Sequence, residues 1–213
     1  PVFDDVHGLL LDPVAEGLVD GVRVDHVDGL ADPTGYLHRL AKALPGDVPI
    51  HVEKITARDE PIDPNWPVAG TTGYEFIDRV THLLVDPAGA ARLTELARST
   101  GITDAAYDDI LDAAKHEILT RNLSAELGHL IQLGLAALAE DPHSRDIGPD
   151  TLRRVLIGLA TALPVYRTYL AGRPRRKADA AIIGNAVDQA RRTAGLDDED
   201  PVAMVARCLV EGE

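Results

Sequence analysis

Apolar positions in the first eighty residues come in short runs broken by Gly, Pro and Asp, the pattern of strands alternating with helices. Val22 and Val24 lie in Gly21-Val22-Arg23-Val24-Asp25, and Val48-Pro49-Ile50-His51-Val52-Glu53 has the same β-branched character, so each predicts a short buried strand. Between them Asp32-Pro33-Thr34 offers a helix N-cap followed by Pro at the first helical position. Tyr36, Leu37, Leu40, Ala41 and Leu44 then recur at helical spacing up to Gly46. Beyond position 80 the pattern turns helical. Leu119, Leu123, Leu127, Leu130, Ile131, Leu135 and Leu138 predict one long amphipathic helix over about 112–140. A polar loop from Asp141 to Pro149 follows, then a helix capped by Asp150 that carries Leu152, Val155, Leu156 and Leu159 until Pro164. A helix over about 174–194, with Gly195 as C-cap, precedes a last one that begins at Asp200-Pro201 and carries Val202, Val205, Cys208 and Leu209. Two regions result, an α/β part over 1–80 and a helical part over 81–213.

The strand–helix–strand unit has a geometric consequence. A crossover of this length joins parallel strands, and neighbouring strands lie about 4.8 Å apart. Asp25 and Glu53 hold the equivalent last position of the two strands, so two carboxylates are expected at one C-terminal rim. In retaining glycosidases the two catalytic carboxyl groups stand about 5–5.5 Å apart, a spacing that adjacent parallel strands supply. Arg23, two residues before Asp25, faces the same side and can hold that carboxylate ionised and oriented.

Composition narrows the partners. A formal charge of −14 on 213 residues disfavours nucleic acid and anionic membranes and leaves neutral polar ligands as the easier class. One cysteine and the lack of a long apolar run suit a reducing, cytoplasmic setting. His116, His129 and His143 lack metal-ligand spacing, and no metal or cofactor is expected. The basic run Arg173-Pro174-Arg175-Arg176-Lys177 reads as a solvated helix start. With Pro1 first and Met204 the sole methionine, residues upstream of Pro1 are expected.

Gly21-Val22-Arg23-Val24-Asp25-His26-Val27-Asp28-Gly29-Leu30-Ala31-Asp32-Pro33 resembles the nucleophile-strand motif of the alpha-amylase superfamily, in the form typical of the maltooligosyltrehalose synthases. Two further ordered blocks fit the same family: Val52-Glu53-Lys54-Ile55 at the acid/base strand, and Trp66-Pro67-Val68-Ala69-Gly70-Thr71-Thr72-Gly73-Tyr74-Glu75-Phe76 after it. A weaker similarity continues through Lys115-His116-Glu117 to Pro164-Val165-Tyr166-Arg167-Thr168-Tyr169. Ordinary amylases usually place a histidine four residues after the nucleophile. Here that position is Gly29 and the histidine is His26, which favours the trehalose-forming branch.

The resemblance implies part of a (β/α)8 barrel over 1–80 followed by an inserted helical subdomain over 81–213, with the remaining barrel strands and a third carboxylate outside the chain. It implies Asp25 as nucleophile and Glu53 as general acid/base, which must stay protonated to serve the leaving oxygen, a state the adjacent Asp25 charge favours. Arg23, His26, Trp66 and Tyr74 are the implied substrate contacts, the two aromatics as walls that stack on sugar faces and exclude water. The implied substrate is a maltooligosaccharide or glycogen-derived glucan, whose terminal α-1,4 bond becomes an α,α-1,1 bond. Cut off from the missing strands, the chain is expected to be poorly stable, to aggregate or to be inactive.

Other readings attach to the same residues. Asp28 and Asp32 suit a turn and a helix cap better than chemistry. His26 fits a supporting hydrogen bond as well as a sugar contact, and Trp66 and Tyr74 could equally be packing. A different hydrolase or transglycosylase of the superfamily would keep the same carboxylates. A metal-dependent phosphohydrolase on Asp25, His26, Asp28 and Asp32 lacks paired ligands elsewhere. The helical region could also be a non-catalytic interaction module.

Overall fold

The computed structural model describes residues 2–57, 60–139, 144, 146–169, 177–194, 201–203 and 205–206. His143, residues 173–176 of the basic run, Gly195, Asp200, Cys208 and Leu209 lie outside the described residues. The chain divides into two compact units, one formed by 1–91 with 165–167, the other by 92–164 with 168–213.

The first unit is built on a parallel three-stranded sheet. Helix α1 (Val2–Ala15) precedes strand β1 (Val22–Val24), helix α2 (Pro33–Ala43), strand β2 (Ile50–Val52), strand β3 (Gly70–Thr71) and helix α3 (Tyr74–Leu83). The strand order is β1-β2-β3, with Val22 opposite Ile50 and Val24 opposite Val52. The expected crossover is therefore present. Asp32 caps α2 as the pattern predicts, its carboxylate accepting from Gly35 N at 2.9 Å with Pro33 next to it. Val22, Val24, Ile50 and Val52 are buried, as are Leu37 and Leu40 of α2, while Arg23 and His51 are exposed. Period-two alternation thus separates an apolar sheet face from a polar one.

Helix α1 is tied to α2 by an aromatic group. His7 stacks on Phe3, its Nε2 lies 2.8 Å from the Tyr36 hydroxyl, and the Arg39 guanidinium sits 4.1 Å from the Phe3 ring centre. Burial pushes the Tyr36 phenol above its ordinary range. Helix α4 (Pro87–Ser99) contains the division between the units.

The second unit is helical. Its core joins Leu127, Ile131 and Leu138 of α6 (Ser124–Leu138), Leu152, Val155 and Leu159 of α7 (Pro149–Ala162) and Ala190 of α8 (Lys177–Ala194) to Val202 and Val205. The single long helix expected over 112–140 is instead two. Helix α5 (Tyr107–Glu117) runs into a π-helical turn at Ile118–Asn122 before α6 begins. Leu127, Ile131 and Leu138 share the buried face of α6, while Leu123 and Leu130 fall on the flank of that stripe and are exposed. The cap of α7 also differs: Gly148 is the N-cap, Pro149 follows it and Asp150 sits in the first turn, where its charge suits the helix dipole. Lys115 donates to the carbonyls of Thr161 (2.9 Å) and Leu163 (2.8 Å), satisfying acceptors at the end of α7.

Candidate active site

The polar face of the sheet gathers Arg23, Asp25 and Glu53 at the C-terminal ends of β1 and β2. The β1–β2 register pairs Val24 with Val52, and Glu53 N donates to Val24 O at 2.8 Å, so the ladder extends to the carboxylate positions. Arg23 joins them. Its Nε lies 2.6 Å from Asp25 Oδ1 and its Nη2 lies 3.8 Å from Glu53 Oε1, so one guanidinium faces both carboxylates. Asp25 is 68% exposed, and an ion pair this wet adds little stability; its consequence is to fix the carboxylate's orientation.

His26 directly follows the rim. Its backbone is left-handed, with φ of 48°, a conformation that His tolerates better than most residues and that turns the chain sharply after Asp25. The turn brings the His26 amide to donate to Glu53 Oε2 at 3.0 Å. The imidazole lies over the next bend: a Cβ at Gly29 would meet its Cε1, Nδ1 and Nε2 at 2.9–3.0 Å. A side chain at position 29 and the His26 ring in this pose exclude each other.

Asp28 is buried and ion-paired to Lys54 at 3.4 Å, while Lys54, 1% exposed, also meets Glu60 at 2.8 Å. Strand alternation puts Lys54 on the side opposite Glu53, but its complete burial between two carboxylates was invisible to spacing. Arg167 grips the same bend, its Nη1 donating to the carbonyls of Asp28 (2.7 Å) and Leu30 (2.8 Å). Nothing local in the sequence marks a contact between residues so far apart in the chain.

The two aromatics part company. Tyr74 opens α3 and lines an open cleft of about 870 Å³ with Ile55, Thr56, Glu60 and Pro61, a cleft that none of Arg23, Asp25, His26 and Glu53 lines. Trp66 is 4% exposed and its indole N–H donates to Thr34 Oγ1 at 2.8 Å. This burial suits packing against α2 and leaves little ring face for a sugar. The motif around Tyr74 is a helix start: Gly73, at φ 97°, supplies a left-handed N-cap, and its amide donates to Thr71 Oγ1, which in turn donates to Glu75.

The residues of the phosphohydrolase alternative do not converge, because Asp28 is committed to Lys54 and Asp32 to the start of α2. Among the described residues no group of three or more His, Cys, Asp or Glu could hold a metal. No described helix is long and apolar enough to cross a membrane.

No family model matches the chain. Two strains of Mycobacterium tuberculosis have proteins named maltooligosyl trehalose synthase that are 42% identical to it over 140 residues, 66% of this chain and 18% of theirs. The solved maltooligosyltrehalose synthase of Arthrobacter ramosus matches 98% of this chain with 25% of its own, at 35% identity and a TM-score of 0.81. A solved glycosyltrehalose synthase matches 97% of the chain with 25% of its own, at 27% identity and a TM-score of 0.69. The chain is thus a homologue of one segment of the maltooligosyltrehalose synthases and spans between 18% and 25% of the length of these relatives.

Proposed function

We propose that this chain supplies the nucleophile and acid/base strands of an intramolecular transglucosylase that turns the reducing-end α-1,4 linkage of a maltooligosaccharide into an α,α-1,1 linkage. The observation that carries the reading is the shared guanidinium: Arg23 faces both Asp25 and Glu53 at the C-terminal ends of adjacent parallel strands. Under this reading the polar sheet face is the lumen of a (β/α)8 barrel, and the helical unit is a subdomain inserted into it.

The chemistry follows from two charges at one rim. Asp25, oriented by Arg23, attacks the anomeric carbon, while Glu53 gives its proton to the departing glycosidic oxygen. A glycosyl ester of Asp25 results. The anomeric hydroxyl of the released glucose then attacks the same carbon as its ester bond to Asp25 breaks, Glu53 takes the hydroxyl's proton, and the new bond closes with net retention. Tyr74 and the cleft beside it serve as wall and binding surface for the glucan. His26 holds Glu53 through its amide and offers its ring to the sugar or to the bend beneath. Water has to be excluded for isomerisation to outrun hydrolysis.

Maltopentaose is the test substrate for the full-length protein, with reducing ends and linkage type followed by NMR. Wild type converts reducing ends to α,α-1,1 linkages without shortening the chain. Asp25→Ala and Glu53→Gln each reduce turnover by about 10²-fold or more. Release of free maltose and glucose points instead to a hydrolase of the same superfamily. Unchanged turnover in both variants refutes the site.

A further inference from the structure

We propose that Lys54 is a positioning residue that aims the Glu53 carboxyl, acting through a buried ion triad with Asp28 and Glu60; this rests on the roles assigned to Asp25 and Glu53 above.

Lys54 is 1% exposed, and its ammonium lies 2.8 Å from Glu60 Oε1 and 3.4 Å from Asp28 Oδ2. An ammonium buried this deeply persists only where carboxylates compensate it, so its position is tightly determined. The two partners sit on different loops. Asp28 belongs to the bend after β1 that begins at His26, and Glu60 belongs to the loop after β2, which it folds back by accepting from Ala57 N at 2.8 Å. Lys54 therefore fastens the loops that follow both catalytic strands.

Two lines of restraint from that triad converge on Glu53. Along the chain, Lys54 is its immediate neighbour, so anchoring the ammonium anchors the peptide that sets the Glu53 backbone. Through space, Asp28 holds the bend whose His26 amide donates to Glu53 Oε2 at 3.0 Å. Asp25 is restrained chiefly by Arg23 on the open face, at 2.6 Å, whereas the same guanidinium stands 3.8 Å from Glu53. Loss of the triad thus perturbs Glu53 more than Asp25, and so proton delivery more than nucleophilic attack.

A substrate that needs no acid separates these effects. Fluoride leaves without protonation, so its single-turnover release from α-maltosyl fluoride, which precedes the step where Glu53 acts as base, reports attack by Asp25, whereas maltopentaose turnover also requires Glu53. In the full-length protein, Lys54→Met lowers maltopentaose turnover by about 30-fold or more, a part of the roughly 10²–10⁴-fold that general acid catalysis supplies, and single-turnover fluoride release by about 3-fold or less. Lys54→Arg restores part of the loss, and Glu60→Gln, nearly isosteric, shows the same selectivity to a smaller degree, which keeps the test available if Lys54→Met fails to fold. A parallel fall on both substrates in Lys54→Met and Glu60→Gln, tracking a lowered thermal midpoint, overturns the proposal by making the triad only structural. No fall on either substrate overturns it too. Glu53→Gln distinguishes the two levels: if it shows the selective loss and the Lys54 variants do not, only the positioning role fails. If wild type acts on neither substrate, the functional reading fails and the positioning role with it.

Discussion

His26 and Gly29 show how one backbone choice fixes local chemistry. The left-handed φ at His26 costs on the order of 1–3 kcal/mol and is held by the structure around it, including the hydrogen bond from its amide to Glu53 and the grip of Arg167 on the bend. The ring settles on Gly29 because nothing larger than hydrogen leaves it room. Two substitutions separate ring from backbone. His26→Gly keeps the conformation and removes the imidazole, whereas Gly29→Ala keeps the imidazole and displaces it. If the ring touches the sugar, each lowers maltopentaose turnover by about 10-fold or more, about 1.4 kcal/mol, at an unchanged thermal midpoint. Full activity in both variants would leave His26 with its backbone role alone.

At the scale of elements, legibility followed locality. β1, α2 and β2 could be read because their signals lie within a few residues: β-branched alternation, Asp32 before Pro33, Gly46 after the last apolar turn. Asp25 and Glu53 inherited that legibility from the parallel pairing. β3 is two residues long and carries no alternation to detect, and the π turn at Ile118–Asn122 leaves the apolar spacing nearly helical while rotating the face. The buried Lys54 and the reach of Arg167 depend on tertiary closure, and a Glu-Lys pair in sequence looks like a surface charge. Packing in the helical unit permits a prediction at this level. Gly158 meets Ala190 closely, since a Cβ built on it would stand 3.4 Å from the Ala190 Cβ, and Ala190 is fully buried where α7 and α8 pack. Ala190→Leu forces these helices apart and destabilises the unit by about 1–3 kcal/mol. A thermal or urea midpoint no lower than that of wild type would show that the junction has slack.

At the scale of the whole molecule, two opposed surface properties decide how the 213-residue chain behaves alone. Val2, Val6 and Leu9 of α1 and Phe76, Ile77 and Leu83 of α3 are all more than half exposed, Leu9 at 91%. Among the described residues the sheet also ends at β1 on one side and β3 on the other. Such surfaces favour association through apolar contact and edge pairing. Against them stands a formal charge of −14, whose mutual repulsion acts over about a Debye length, roughly 30 Å at 0.01 M salt and 10 Å at 0.1 M. Repulsion therefore dominates only in dilute salt. The expected outcome is a chain that scatters light as a monomer near 0.01 M salt, binds a hydrophobic dye there, and assembles progressively as salt rises toward 0.15 M, with no conversion of maltopentaose at either end. The reverse salt dependence would assign the association to charge pairing instead of apolar contact. A monomer at all salt concentrations that binds no dye and isomerises maltopentaose would mean that these residues complete a working site by themselves, and that the open polar sheet face is not the lumen of a larger barrel.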